Sequence, residues 1–325
     1  MDTPTQALLG AALVQSFLGK RLGTKALVVG LIAGALPDVD VFIRSSKDSL
    51  LALTMHRHFT HSLAFVPIGA LIAAGICHLL YRRRENFKLI YLASFLGYIT
   101  HGPLDLCTSY GTVILWPFNS SRYALDCISI VDLVVSVPLL IGCILSAKRR
   151  SNAPAIVAML FVISYITFGF TQNHQALAVQ RELAQSRGHS VQHGRATPTL
   201  ANLFVFRSIY RAGGQIYADK VVVAPFRKAS VEEGDEVEVF AEDGLINRPM
   251  TQQAVLRDFR RFSRFADGFT AKVSDRPDVV GDMRYSLRAK TFQPLWGIII
   301  DADDAQHPVR RVSLTRDHDF FDWWD

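Results

Sequence analysis

Hydrophobic residues are distributed unevenly along this chain of 325 residues. Up to Thr171 they form long runs, whereas beyond that point they alternate with polar residues as in a soluble domain. Four runs are long enough to cross the hydrocarbon core of a bilayer, which takes a helix of about 20 apolar residues. These predicted spans cover residues 62–80, 89–107, 128–147 and 153–171. Two shorter runs, 6–19 and 26–36, predict short N-terminal helices that are tilted partial spans or a re-entrant pair.

A different pattern predicts a second domain after the last span. Residues 172–200 indicate a helical connector, and from residue 201 short β-branched and aromatic runs alternate with turns. Residues 251–265 predict a helix whose arginines form either a solvated basic face or a contact with anionic lipid headgroups. The predicted fold class is therefore an all-α transmembrane helical bundle over residues 1–171, followed by the connector and by a mainly β (α+β) soluble domain over residues 201–325.

The basic residues predict how the helices are oriented in the membrane. The formal net charge of +6 arises before the end of the last span, and the charges of the remainder balance. Basic clusters at 20–25, 82–88 and 148–150 share one side if all six runs cross the bilayer, and the positive-inside rule makes that side cytoplasmic. The polar loops and the C-terminal domain are then extracytoplasmic. Because the basic excess is not on a soluble face, no binding to nucleic acid is expected.

The cysteines give no evidence of a disulfide framework. Cys77, Cys107, Cys127 and Cys143 lie in or beside apolar runs and form no CxxC motif. We expect buried free thiols, with a Cys107–Cys127 bridge on an oxidising face as the alternative. The first basic residue, Lys20, follows the first apolar run, so no cleavable signal peptide is expected.

Candidate metal ligands are concentrated in the apolar half of the chain. Three of the ten histidines, His56, His58 and His61, fall within six residues. Imidazole and carboxylate are side chains that bind divalent metals, and they are costly at membrane depth without a partner. The pattern therefore predicts a membrane-embedded metal site. The candidate ligands are Asp38, Asp40, His56, His61, His101 and Asp105.

Local spacing gives some of these residues alternative roles. Alternate positions of an extended turn point in opposite directions, so one of Asp38 and Asp40 is expected to bind metal while the other orients a ligand. His101 and Asp105 are four residues apart and share a helix face. Asp105 is either a ligand or the acceptor that fixes the tautomer of the imidazole.

The sequence does not decide the roles of the other polar residues nearby. The guanidinium of Arg57 suits an anionic substrate, because it matches phosphate and carboxylate oxygens. His58 is either a third ligand or a surface residue. Asp126 and Asp132 flank the start of the next span. The roles considered for such a carboxylate are binding of a second metal, proton transfer and an interaction with a helix end.

Taken together, these motifs resemble the YdjM family of bacterial inner-membrane proteins, described as metal-dependent hydrolases. The matching segments lie within residues 1–140 and read Met1-Asp2-x-x-Thr5-Gln6-Ala7-x-Leu9-Gly10-Ala11, Leu36-Pro37-Asp38-x-Asp40, His56-Arg57-x-x-Thr60-His61-Ser62, His101-x-x-Leu104-Asp105 with Thr108-x-Tyr110-Gly111-Thr112, and Trp116-Pro117-Phe118. The resemblance is to a longer branch with an extra C-terminal domain. It implies a helical inner-membrane protein whose metal centre is built from the six candidate ligands, with distant kinship to zinc-dependent phospholipase C. Many relatives have Thr-His where this chain has Thr5-Gln6, which removes one possible ligand.

The expected function is that of a membrane-embedded, metal-dependent hydrolase. Zn²⁺ would activate a water molecule for attack on a lipid or phosphoester substrate. One of Asp38, Asp40 and Asp105 that is not a ligand would act as general base, and Arg57 would bind the anionic group. Two alternatives stay open: a non-catalytic protein with a structural or sensory metal site, and a metal or proton transporter. The clustering of the polar residues at one face disfavours transport.

Overall fold

The computed structural model of the protein describes residues 1–82, 84–245, 252–286, 288–301 and 309–314. The chain divides into two compact units. The first, called here the helical unit, comprises Met1–Phe42, Met55–Thr171 and Leu200–Leu203. The second, called here the β unit, comprises Ile43–Thr54, Gln172–Thr199 and Phe204–Asp325. The segment Ile43–Thr54 therefore groups with the β unit, although the residues on both sides of it belong to the helical unit.

Most of the chain up to Ser186 is helical. The helices are α1 (Thr3–Leu22), α2 (Thr24–Ala35), α3 (Leu51–Met55), α4 (Val66–Leu80), α5 (Phe87–Ile99), α6 (His101–Leu106), α7 (Leu133–Arg149) and α8 (Ala153–Ser186). Short 3-10 helices occupy Leu36–Phe42, Phe59–His61 and Leu63–Phe65. The two short apolar runs lie within α1 and α2. Helix α1 begins where the Asp2 side chain accepts a hydrogen bond from the Thr5 amide at 3.0 Å, and it ends before Gly23.

The close approach of α1 and α2 depends on glycine. A Cβ atom on Gly30 would lie 2.5 Å from the Cα atom of Ala11, and one on Gly34 would lie 2.6 Å from the carbonyl oxygen of Gln6. Gly30 and Gly34 are four residues apart and lie on one face of α2, as small residues do where membrane helices pack closely. This packing places the first turns of α1 beside the end of α2.

In the described part of the chain, two helical stretches are long and apolar enough to cross a membrane, Leu63–Leu80 and α8. Both expose large apolar side chains, such as Leu71 on α4 and Val157 on α8. Large exposed apolar surfaces mark contacts with a membrane or a partner. The predicted span at 89–107 is instead divided between α5 and α6, and the one at 128–147 becomes helical only at Leu133.

The β unit contains two antiparallel sheets. The first consists of β1 (His193–Pro198), β2 (Val205–Ala212), β3 (Gln215–Val222) and β4 (Ser230–Glu232) in that order, with β5 (Glu236–Glu238) also paired to β3. The second consists of β6 (Thr270–Val273), β7 (Arg276–Asp282), β8 (Trp296–Ile300) and β9 (Val309–Ser313) in that order. Helix α9 (Gln252–Phe265) precedes the second sheet. The segment 172–200, predicted as a connector, contains the end of α8 and strand β1.

We expect Gly30→Ala to destabilise the helical unit, because the added methyl group would press on the backbone of α1. Overpacking of this kind typically costs about 1–3 kcal/mol. Gly75 is the matched control, since it lies in α4 and a Cβ atom there would meet nothing within 4 Å. Alanine at such a position is neutral or stabilising by up to about 1 kcal/mol. Thermal denaturation of the detergent-solubilised protein compares the two variants, and equal melting temperatures would contradict the close packing.

Candidate metal centre

Four buried side chains of the helical unit converge on one point. Asp38, His61, His101 and Asp105 each offer one ligand atom, and these atoms lie within 4.8 Å of one another. The Nε2 atom of His61 is 3.4 Å from Asp38 Oδ1 and 3.2 Å from Asp105 Oδ2. The Nε2 atom of His101 is 3.4 and 3.6 Å from the same two oxygens. Two imidazoles and two carboxylates around a common centre are a donor set that could bind a divalent metal ion.

Short helical segments that follow or precede the long helices in the chain supply these side chains. Asp38 lies in the 3-10 helix Leu36–Phe42, which continues α2. The prediction of an extended turn there was wrong, because Pro37 occupies the first turn of a helix, where its fixed φ is compatible with helical geometry. His61 ends the 3-10 helix Phe59–His61. Ser62 then accepts a hydrogen bond from the Phe65 amide at 3.3 Å and begins the next helical segment.

Helix α6 supplies both His101 and Asp105. Residues four apart lie on one face of a helix, so the two side chains reach the centre from the same side. The helix also approaches the backbone of His61 very closely. A Cβ atom on Gly102 would lie 2.4 Å from the carbonyl oxygen of His61, so any other residue would force α6 away from this ligand.

Three of the converging atoms have no hydrogen-bond partner. Among the described residues, His61 Nε2, His101 Nε2 and Asp105 Oδ2 are buried and unpaired in this sense. Buried polar atoms are paired in the large majority of cases, so an unpaired group requires an explanation such as a bound ion. The other nitrogen of His101 is fixed, because Nδ1 donates to the carbonyl oxygen of Gly34 at 2.6 Å. This bond leaves Nε2 directed at the centre.

Asp40 and His56 lie one step away from the four converging side chains. Asp40 Oδ1 accepts from His56 Nδ1 at 2.8 Å, and Oδ2 accepts from the Arg57 amide at 3.0 Å and from Thr60 Oγ1 at 2.8 Å. The same Oδ2 atom is 3.2 Å from Nδ1 of His61. The imidazole rings of His56 and His61 are 5.9 Å apart between centroids. Asp40 thus orients the His61 ring through the nitrogen that faces away from the centre.

Asp105 is held by three residues from two parts of the helical unit. Its Oδ1 atom accepts from Gln6 Nε2 at 2.8 Å and from the amino group of Met1 at 2.5 Å. The Nε atom of Arg57 is 3.2 Å from Oδ2. Asp38 is held in a similar way, since its Oδ2 accepts from Thr3 Oγ1 at 2.6 Å. The N-terminal residues Thr3 and Gln6 therefore support both carboxylates.

Arg57 is buried and already engaged by the protein. Its Nη1 atom donates to Thr108 Oγ1 at 2.7 Å, and its guanidinium lies 4.8 Å from the ring centroid of Tyr110. Its backbone has a φ of 58°, in the left-handed region that non-glycine residues seldom adopt. Sequence reasoning identified Arg57, but it missed Thr3 and Tyr110 and treated Gln6 only as a lost ligand. Tyr110 and Gln6 lie in the family motifs, whereas Thr3 carries no signal.

The charges around His61 favour a cation at this position. Burial opposes a charge on the ring, but three neighbouring carboxylates raise the pKa of His61 to about 10. These carboxylates belong to Asp105, Asp38 and Asp40. Burial also raises the pKa of Asp40, but hydrogen bonds from His56 and His61 outweigh it and hold that pKa below its usual range. The centre is thus arranged to hold positive charge, which a proton or a metal ion can supply.

The remaining polar candidates are not among the four converging side chains. His58 packs beside Phe59 and Trp116. Asp132 caps α7 by accepting from the Val134 amide, and it also accepts from the Tyr165 hydroxyl at 3.0 Å. Asp126 is buried with a φ of 51°. All four cysteines are buried and free.

We expect the purified protein to retain a stoichiometric divalent metal, and His61→Ala, His101→Ala and Asp105→Ala to lose it. Each substitution removes one of the converging atoms. His58→Ala is the matched control, because it removes a histidine of the same six-residue cluster that packs on aromatic rings. Elemental analysis after gel filtration measures the metal content. Retention of metal in all four variants would contradict a site at this position.

We expect Asp40→Asn and His56→Ala to weaken metal binding without abolishing it. Loss of a residue that orients a ligand typically lowers metal affinity about 10–100-fold. Competition with a chromogenic chelator measures the dissociation constant. Complete loss of metal in Asp40→Asn would instead make Asp40 a direct ligand, and an unchanged constant would remove it from the site.

Comparison with known proteins supports the resemblance given by the motifs. Residues 1–176 match the family of the YdjM inner membrane protein. The uncharacterized protein YfhP of Bacillus subtilis (strain 168) is 23% identical over 259 residues, which cover 75% of this chain and 77% of YfhP. The inner membrane protein YbcI of Escherichia coli (strain K12) is 32% identical over 121 residues, which cover 34% of this chain and 68% of YbcI. No solved structure matches the chain.

The family match includes the helical unit almost entirely and therefore all the residues of the centre. The alignment with YfhP is longer than this match and so also includes part of the chain beyond residue 176. Because the family match covers more than half of its length, this chain belongs to the YdjM inner membrane protein family.

Proposed function

We propose that this protein is a membrane-embedded hydrolase that uses a divalent metal ion. The observation that carries the proposal is the convergence of His61 Nε2, His101 Nε2 and Asp105 Oδ2, three buried atoms without hydrogen-bond partners. One cation among them would satisfy all three. When bound, such a cation lowers the pKa of a coordinated water from about 15.7 to about 7 and polarises an ester oxygen of the substrate.

Zinc is the proposed metal, because imidazole nitrogen and carboxylate oxygen are both among its usual ligands. The residues that would hold it are Asp38, His61, His101 and Asp105. Asp40 and His56, the other members of the predicted ligand set, would keep the His61 ring in its binding orientation. The family supports a membrane location for this centre.

Asp38 would be the general base if His61, His101 and Asp105 hold the metal without it. It is 8% exposed, whereas Asp40 and Asp105 are 2% and 0% exposed. Asp40 is further occupied by donors on both of its oxygens. The hydrogen bond from Thr3 to Asp38 Oδ2 leaves Oδ1 facing the centre, where it would accept a proton from the attacking water only when it does not bind the metal. Asp105 would stay ionised beside Arg57 and act as a ligand.

An amphiphilic phosphoester is the proposed substrate class. Val39 and Phe42, in the same 3-10 helix as Asp38, are 52% and 77% exposed. Leu63, two residues after His61, is also exposed. Apolar surface beside a polar centre suits a phospholipid or a lipid-linked phosphoester. Arg57, the predicted anion-binding residue, is buried and bound to Thr108 and Asp105, so it would add positive charge to the centre and would not contact the phosphate directly.

The proposed location is the bacterial inner membrane, with several spans and with the centre and the β unit on the extracytoplasmic side. The basic clusters at 20–25, 82–88 and 148–150 support this orientation. Four spans are proposed, although α5 and α7 are each shorter than the two stretches that are long and apolar enough to cross a membrane.

We expect the purified, full-length protein to hydrolyse a generic phosphodiester and short-chain phospholipids in detergent. Chelation with EDTA should abolish turnover and added Zn²⁺ should restore it. His61→Ala should lower kcat/KM at least about 100-fold, since the loss of catalytic electrostatics is of this order, while His58→Ala stays near the wild-type value. Release of p-nitrophenol from a p-nitrophenyl phosphodiester, and of the alcohol and phosphomonoester products from the phospholipid, measures the rate.

Two outcomes would reject the hydrolase. Tightly bound metal with no turnover on any phosphoester would favour a structural or sensory metal site. Metal-dependent uptake of the ion into proteoliposomes, lost in His61→Ala, would favour a transporter.

A further inference from the structure

A loop begins and ends at the metal centre. Asp40 lies before the segment Ile43–Thr54, and His56 and Arg57 lie after it. The Asp40 carboxylate accepts from His56 Nδ1 at 2.8 Å and from the Arg57 amide at 3.0 Å, so it joins the two ends of the loop. Loops with closed ends of this kind are compact and often functional. The position of the loop therefore affects Asp40, and through Asp40 it affects the ring of His61.

Two other elements of the β unit, α9 and β9, bind this segment. Arg261 of α9 donates from Nη1 and Nη2 to the two carboxylate oxygens of Asp48, at 3.2 and 2.9 Å. Its Nη2 atom is also 3.3 Å from Thr54 Oγ1. Ser49 Oγ donates to the carbonyl oxygen of Val309 in β9 at 2.9 Å. A paired guanidinium and carboxylate fix orientation as well as distance.

The segment can transmit a restraint because it is ordered by packing and capping. Leu50 and Leu53 are buried. Asp48 Oδ1 accepts from the Leu50 amide at 3.0 Å, and α3 follows directly and ends at Met55, one residue before His56. A movement of Asp48 would thus reach His56 through a single short helix. The next residue, Arg57, has a left-handed backbone, which persists only where neighbouring structure enforces it.

We propose that Arg261 is a positioning residue for the metal centre. By binding Asp48 and Thr54 it restrains the loop, and the restrained loop keeps His56 and Arg57 where Asp40 can bind them. The proposed role of Arg261 is thus to hold the loop in the conformation that binds metal. That the positioned site binds metal rests on the proposed function, whereas the restraint of the loop rests on the contacts of Arg261.

The test compares Arg261→Gln with Arg260→Gln in the full-length protein. Arg260 is the matched control, because it lies on the same helix and forms a two-bond ion pair, at 2.9 and 2.8 Å, with Glu242, which lies outside the segment. We expect Arg261→Gln to raise the dissociation constant for Zn²⁺ about fivefold, as the loss of a partly exposed ion pair predicts. Arg260→Gln should leave it unchanged. The visible spectrum of the Co²⁺-substituted protein should shift only in Arg261→Gln.

Variants of Asp48 show whether the effect on zinc affinity comes from the ion pair between Arg261 and Asp48 or from a general loss of stability. Asp48→Asn should reproduce the effect of Arg261→Gln. The double variant with Asp48→Arg and Arg261→Asp should recover only part of the affinity, because arginine at position 48 cannot accept the hydrogen bond from the Leu50 amide. Arg261→Gln removes ion pairs with Asp48 and Asp258, and Arg260→Gln removes the pair with Glu242. Because partly exposed pairs contribute little to stability, both melting temperatures should change only slightly.

Amide hydrogen exchange over residues 55–61 gives a readout that needs no metal. Exchange there should be faster in Arg261→Gln than in Arg260→Gln. Equal exchange in the two variants would overturn the inference, whether or not zinc binds. A wild-type protein that binds no divalent metal would reject the proposed function, and the exchange comparison would then decide the inference alone.

Discussion

Carboxylates and imidazoles buried together require positive charge between them, and the helical unit is organised around this requirement. Asp38, His61, His101 and Asp105 lie within 4.8 Å of one another with little access to water. A buried ionic group of this kind is stable only when its charges are compensated and its remaining polar atoms are paired. Arg57 compensates Asp105 from one side. The glycine-dependent packing of α1 on α2 brings further donors to the carboxylates.

The sequence predicted the residue types of the candidate site better than their individual positions. The four-residue spacing of His101 and Asp105 is informative because helix periodicity is local. The sequence could not show that Asp40 and His56 lie outside the four converging side chains, since a separation of 16 residues does not reveal which way a side chain points. The hydrogen bond from Thr3 to Asp38 depends on how α1 packs on the end of α2, and no local pattern reports this.

Hydropathy located the apolar stretches and the change to β structure, but it did not give the lengths of the helices. The run at 89–107 is interrupted before α6, where Pro103 lacks the amide that would continue the hydrogen bonds of α5. The run at 128–147 starts with residues that precede the cap at Asp132. The grouping of Ile43–Thr54 with the β unit had no signal in the sequence, because it depends on partners that are distant along the chain, such as Arg261.

Helix α6 is only six residues long, yet it contributes half of the converging ligand atoms. Each residue of an α-helix turns the chain by about 100°, so a small rotation of α6 about its axis would swing an imidazole and a carboxylate out together. No rotamer change in one side chain could compensate for the departure of both. If the centre holds an ion, such a rotation would therefore withdraw two of its four candidate ligands at once.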